Sequence, residues 1–382
     1  MEDAVEMEML VESALSMSPL SPVPSALEDP AADKTTPKEE SSIPFKMEKL
    51  DDPVISTLRA ISKSSDRGDS AADERISKEK LARYTPRDSK DYTVEILTSF
   101  IENLPSVSKR VITKVITISG DDDLYNLAYH LRTAILIPMK AQGGKTAQAT
   151  ALPLSETDIT RDNVTSEMTE SSSRDDQEWL KIICLERDNY QCVVTKLWDP
   201  VAEPIFKLQE QGGMTLNTQL AHIIPFSLGH SDNDWKAKEI AKCWETLYLL
   251  FPSIKDVIKP TTINIPANAM TLAAPIHKDF GSLRIAFVPT DTENTYEIKM
   301  YPRHQTFFDQ YYKKLVTFTK QSDSELPSRA LLETHAAIAE ILHASGQGKQ
   351  IDELLYDWDT LRCLASDGST DLQSLLSLVH VH

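Results

Sequence analysis

Ala221-His222-Ile223-Ile224-Pro225-Phe226-Ser227, then Asn264-Ile265-Pro266-Ala267-Asn268-Ala269-Met270-Thr271-Leu272, then His277-Lys278-Asp279-Phe280-Gly281: these three pieces, in this order, decide how the middle of the chain folds. The first closes a strand-like run from Leu216 to Pro225. The second reads as a loop with two asparagines around Pro266. The third belongs to Ala273–Phe280, which can start a short helix. Asn268 and His277 have eight residues between them.

Working outward, Asp176–Arg187 reads as a helix and Gln191-Cys192-Val193-Val194-Thr195 as a strand. Trp235–Phe251, between the first two pieces, has helical periodicity. Its Trp235, Trp244, Tyr248, Leu249, Leu250 and Phe251 read as core rather than as a base-stacking platform. Arg284–Val288 and Tyr296–Met300 read as two strands joined by a polar turn. Together they make a mixed domain over residues 175–320.

The flanks differ in kind. Residues 1–85 are rich in Ser, Pro, Asp, Glu and Ala and read as a disordered acidic tail, because such a segment buries too little apolar area to offset its ordering entropy. Short apolar clusters at Met7–Leu10 and Ile55–Ile61 fit docking peptides within it. Residues 86–140 form a helical segment: Ile96, Leu97, Phe100 and Ile101, then Val111, Ile112, Val115 and Ile116, then Leu124, Leu127 and Leu131 recur at helical spacing. Asp121-Asp122-Asp123 lacks the spaced ligands of a calcium loop and reads as a helix N-terminus. Residues 141–174, with Gly143-Gly144 and runs of Thr and Ser, form a linker. Residues 321–382 form an acidic helical segment.

The net charge of -18 looks wrong for a nucleic-acid protein, since phosphate binding rests on Lys and Arg. The negative charge sits at the two ends, however: 18 acidic against 11 basic side chains in residues 1–85, and 10 against 3 in residues 321–382. Residues 175–320 carry 18 against 16 and are close to neutral. The acidic ends are candidate sites for a protein partner. The four cysteines, Cys184, Cys192, Cys243 and Cys363, include no C-x-x-C pair and read as reduced core residues. No apolar run reaches the ~18 residues of a membrane span, and the acidic N-terminus lacks the basic start of a secretory signal. The expectation is an intracellular protein, nuclear or cytoplasmic, not secreted and not in a membrane.

The three quoted pieces resemble the HNH endonuclease family, in the variant common in fungal proteins of unassigned role, over roughly residues 176–302. The resemblance implies an α+β fold with a ββα-metal (HNH, or His-Me finger) core, here with helices on both sides and the N-terminal tail before it. In that family a β-hairpin and a following helix clasp one divalent metal ion (Mg, Mn or Zn), and the substrate is DNA or, alternatively, RNA. By the same resemblance His222 is the general base, and Asn268 ties the loop to the hairpin and orients the base's ring. His277 is the metal ligand, with Asp279 or His230 as a second. Apart from the resemblance, Lys278 and Arg284, beside the metal-site helix, read either as phosphate contacts or as solvated surface charges. The chain departs from the family at two places. Ala221 stands where many HNH nucleases carry Asp, Glu or His, and Gly281 stands where many carry Asp after Phe. These departures leave open a second reading, an HNH-fold module that binds nucleic acid or protein without cutting. A third is a regulator whose acidic ends recruit a partner.

Overall fold

A computed structural model describes residues 52–64, 70–141, 168–229 and 234–361. The first two helices are α1 (Pro53–Lys63) and α2 (Ser70–Leu81). Both lie inside the stretch expected to be tail, and both are packed: Ile55, Leu58, Leu81 and Tyr84 are buried. The reason is local. Asp52 precedes Pro53, and its Oδ1 accepts from Val54 N and Ile55 N at 2.9 and 3.1 Å, a cap on a helix that Pro can open. The acidic composition of the first 85 residues hid this short amphipathic signal. Residues 1–51 and the acidic end from 362 lie outside the described residues.

Three helices follow, α3 (Thr93–Asn103), α4 (Ser106–Ile118) and α5 (Asp121–Leu131). The Asp triplet forms the first turn of α5, where carboxylates face the helix's free N–H groups, and Asp123 Oδ2 accepts from Gly120 N at 3.3 Å. The helix runs on through one π turn (Arg132–Leu136) into α6 (Ile137–Ala141). Pro138 supplies a cause: it has no N–H to donate and its ring would crowd the carbonyl four residues back, which a wider turn relieves.

The middle of the chain holds α7 (Met168–Arg187), β1 (Thr218–His222), α8 (Asp234–Leu250), β2 (Ala269–Ala273) and α9 (Ala274–Gly281). β1 and β2 are antiparallel, with Thr218 opposite Ala273 and His222 opposite Ala269. The order strand, strand, helix is therefore present, but Gln191–Thr195, expected to be a strand, is not one of the two. That run reverses in a tight turn, with Lys196 at φ 59 and its N–H on the Cys192 carbonyl at 2.9 Å, and only Val193 N reaches β2, at Thr271 O. The partner of β1 is the second half of the expected asparagine loop, Ala269–Ala273, in which every residue is buried. This apolar run is too short to show alternation, and the asparagine and proline before it carry the signals of a loop.

β3 (Ile285–Pro289), β4 (Thr295–Met300) and β5 (Val316–Thr317) make a second antiparallel sheet, the first two where the sequence placed them. Two helices close the described chain, α10 (Arg329–Ala344) and α11 (Gln347–Leu361). The result is α+β. One buried core runs through all these parts, from Leu58 and Phe100 through Trp244, Phe280 and Phe287 to Leu331 and Ile351. Each such Leu, Ile or Phe contributes ~1.5–3 kcal/mol by burial, so the flanking helices stabilise the site's scaffold directly. Of the side chains expected as core here, Trp244, Leu250 and Phe251 are buried and Tyr248 and Leu249 half-buried, while that of Trp235 lies outside the described residues; Trp244 Nε1 donates to Leu228 O at 2.7 Å. Cys184, Cys192 and Cys243 are buried free thiols. Among the described residues, no helix is long and apolar enough to cross a membrane.

Candidate functional site

His222 ends β1, α9 packs against β1 and carries His277, and the His222 ring is near enough to act on His277 electrostatically. His222 is half-buried, its ring 5.4 Å from that of Phe226. His222 Nε2 lies 3.0 Å from Asn264 Oδ1. The Asn264 amide is itself fixed, because its Nδ2 donates to the Asp176 carbonyl at 2.9 Å. Its oxygen therefore faces the ring, so Nε2 carries the proton and Nδ1 keeps a lone pair. His277 is buried in α9, and its Nδ1 lies 2.7 Å from Gln219 Oε1 on β1. With that amide oxygen as acceptor, Nε2 of His277 is the nitrogen with the free lone pair. Neither lone-pair nitrogen has a hydrogen-bond partner among the described residues.

Burial pushes the His222 pKa down to about 4, against a smaller upward pull from Asn264. Burial also pushes His277 down to about 4, and the neighbouring His222 imidazole adds to the shift. Both rings are thus neutral at pH 7, the form that accepts a proton or binds a cation.

Asn268 bonds only to backbone and does not touch the ring of His222. It is fully buried at the end of the loop that enters β2. Its Oδ1 accepts from Ile224 N at 2.9 Å, and its Nδ2 donates to Ile224 O at 3.0 Å and Ile263 O at 2.9 Å. All three bonds go to backbone. Asn268 ties the loop after β1 to the loop before β2, as expected, but the ring of His222 is oriented by Asn264.

Asp279 turns away from the histidines. Residues two apart on a helix do not share a face, and Asp279 Oδ2 accepts from Gln305 N at 2.7 Å and Tyr312 Oη at 3.2 Å. The expectation that it ligates with His277 is corrected by this geometry. Ala221 is completely buried opposite Met270 and offers no donor. His230 lies outside the described residues. Lys278 is exposed on α9, whereas Arg284 lies toward Asp352. Among the described residues, no group of three or more His, Cys, Asp or Glu is placed to hold a metal. The free donors are His222 Nδ1 and His277 Nε2, because the Asn264 and Gln219 amide oxygens are taken by the two rings' N–H groups. That chemistry fits a cation that accepts imidazole, of the Zn²⁺ class, and does not fit Mg²⁺, which is held through carboxylates.

Sequence reasoning missed Gln219, Asn264 and His335. Asn264 stood in the quoted loop and differed from Asn268 only by being on the other side of Pro266. His335, from α10, stacks on Phe280 with ring centroids 4.0 Å apart, and its Nε2 lies 3.2 Å from the Phe280 carbonyl. It steadies the end of α9, and no local pattern marks it.

The buried histidines predict an acid-labile fold. Burial also pushes His335 down to about 3 and lowers His130. An unfolded histidine titrates near 6.5, so below that the unfolded chain binds more protons than the folded one. Their contribution to stability is complete above about pH 6.5 and is lost as pH falls toward 4. The depressed carboxylates Asp91 and Glu340 act at lower pH still. In metal-free buffer the thermal midpoint should therefore fall between pH 6.5 and 5. A flat profile there would mean that these rings are not held neutral.

Residues 192–288 match the family model described as HNH endonuclease. Comparison with curated proteins gives no match, and neither does comparison with solved structures. The match begins at Cys192 and ends in β3, enclosing β1, α8, β2 and α9. The segment that carries His222, Asn268 and His277 is thus similar to HNH endonucleases over residues 192–288.

Proposed function

We propose that this segment is a nuclease centre of the ββα-metal type, hydrolysing phosphodiester bonds of DNA or RNA. The observation that carries the reading is the pair of neutral imidazoles, His222 and His277, each oriented by an amide and each keeping one unengaged nitrogen. His222 Nδ1 takes a proton from water, and the oxygen so activated attacks phosphorus. The P–O bond to the leaving oxygen breaks, and that oxygen is protonated from solvent. Asn264 holds the His222 ring for this step. His277 Nε2 would hold the divalent ion. A bound cation supplies positive charge to the phosphate and the leaving oxygen.

The test is cleavage of supercoiled plasmid and of single-stranded RNA by the full chain, screened over Zn²⁺, Mn²⁺, Ni²⁺ and Mg²⁺. Cleavage with an imidazole-binding cation, weakest with Mg²⁺, is the expected result, and chelation should remove it. One observation favours a second reading. Asp279 faces Tyr312 and Ala221 is sealed in the core, so the histidine pair has no carboxylate beside it among the described residues. Binding of nucleic acid with no cleavage under any cation would overturn the nuclease reading in favour of an interaction module.

A further inference from the structure

Away from the two histidines, four charged side chains from separate parts of the chain meet where α9 ends. Lys140, in α6, is buried. Its Nζ lies 3.0 Å from Asp352 Oδ1 and donates to the Ser282 carbonyl at 3.1 Å. Arg303 Nη1 lies 3.3 Å from Asp352 Oδ2, and Arg284 Nη2 lies 3.9 Å from the same oxygen. Three cations thus face one carboxylate of α11. The other nearby acid, Glu340, is taken by Lys299 and by Tyr301 Oη. Burial lowers the Lys140 pKa against the pull of Asp352, and Arg284 and Arg303 add to the lowering.

Arg284 is the informative member. Its side chain is 22% exposed, yet its guanidinium makes no hydrogen bond within the described residues, and its Nε is buried without an acceptor. A guanidinium carries five N–H donors, and buried donors are nearly always satisfied. A guanidinium whose buried Nε has no acceptor and whose partly exposed Nη groups make no hydrogen bond to the described residues, beside two further cations, suits an oxyanion with several oxygens and more than one charge.

We propose that Lys140, Arg284 and Arg303 form a phosphate-binding site for the nucleic-acid backbone, with Asp352 as its internal counter-charge. The proposal rests on the nuclease reading for the identity of the ligand and extends it to residues outside the matched segment, since Lys140, Arg303 and Asp352 all lie beyond 192–288. The phosphate completes the hydrogen bonding of Arg284 and neutralises the surplus of positive charge. Asp352 competes with it.

The experiment uses the full chain as wild type, Arg284→Gln, Arg303→Gln and Asp352→Asn. Inorganic phosphate is titrated while the thermal midpoint is read in metal-free buffer. DNA and RNA oligonucleotides are titrated over a range of salt. Phosphate should raise the wild-type midpoint, raise that of Arg284→Gln less, and raise that of Asp352→Asn most. Oligonucleotide affinity should fall roughly three- to tenfold in Arg284→Gln and in Arg303→Gln, and the slope of log affinity against log salt should drop by about one for each lost phosphate contact. Arg303 is more than half exposed, so its variant tests the site even where Arg284→Gln fails to fold. A midpoint indifferent to phosphate, with oligonucleotide affinity unchanged in both arginine variants, overturns the site. A phosphate response with no oligonucleotide response overturns the nucleic-acid assignment. Plasmid cleavage that persists beside unchanged binding in both arginine variants sinks this site alone, whereas binding that responds as expected without any cleavage sinks the nuclease reading alone.

Discussion

His222→Ala should lower the cleavage rate by roughly 10²- to 10⁴-fold, the range that a positioned general base supplies. The variant should fold. His222 is half-buried and its ring makes one hydrogen bond, to Asn264, so alanine there opens a polar gap rather than an apolar cavity. Loss of activity with a preserved thermal midpoint separates a chemical role from a structural one. Two companions sharpen the result. Imidazole added to His222→Ala should restore part of the rate, because the missing group is a neutral base and the space it left is open to a small one. His277→Ala should lose activity without such rescue, and with it the preference among cations, because its imidazole is assigned to holding the ion and not to moving a proton. A His222→Ala enzyme that keeps cleaving within about threefold of wild type would remove His222 from the base's position, since so small a change falls well below what general-base catalysis contributes.

How much of this was legible beforehand depends on the kind of interaction. His222, Asn268 and His277 stand out because three chemically distinct residues keep a fixed order and spacing, and the chain's match to the HNH endonuclease family lies over them. α9, β3 and β4 were readable from local periodicity. The partner of β1 was not, because β2 is a five-residue run buried on all sides, and pairing across residues 223–268 is a tertiary event. The same holds within the site. Asn264 and Gln219 act on the histidines through single contacts that have no period, so composition and spacing carry no trace of them. Asp279 is near His277 in sequence but not in space, because residues two apart on a helix point to different faces. Arg187-Asp188 is the extreme case. In sequence it is the polar end of a helix. In the fold it is a fully buried ion pair bonded to β2.

Arg187→Met should therefore cost about 3–5 kcal/mol, the penalty for leaving a buried charge without its partner, and lower the thermal midpoint by on the order of 10 °C. Arg187 is fully buried and Asp188 nearly so. The guanidinium grips Asp188 with two bonds, Nε to Oδ1 at 2.8 Å and Nη2 to Oδ2 at 3.0 Å. Its remaining donors reach three carbonyls: Pro266 at 2.9 Å, Glu325 at 2.9 Å and Ala269 at 3.0 Å. Asp188 Oδ2 also accepts from Thr271 N at 2.9 Å. One residue thus ties the end of α7 to β2, to the turn that presents Asn268, and to the segment leading into α10. Methionine fills much of the volume but strands Asp188 and three carbonyls in the core. Lysine keeps the charge but not the planar fork, so Arg187→Lys should fall between methionine and wild type. The double variant Arg187→Met, Asp188→Asn should recover part of the methionine loss, because no uncompensated charge remains. Chemical and thermal unfolding of the four proteins reads these differences. A double variant no more stable than Arg187→Met would show that the carbonyl bonds, and not the buried charge, set the cost. An Arg187→Met midpoint within roughly 2 °C of wild type, a shift worth less than about 1 kcal/mol, would show that this pair does not hold the site together. Because the pair fixes the strand that Asn268 enters, Arg187→Lys should also lower cleavage at temperatures where it stays folded, through a looser His222 and not through any contact with substrate.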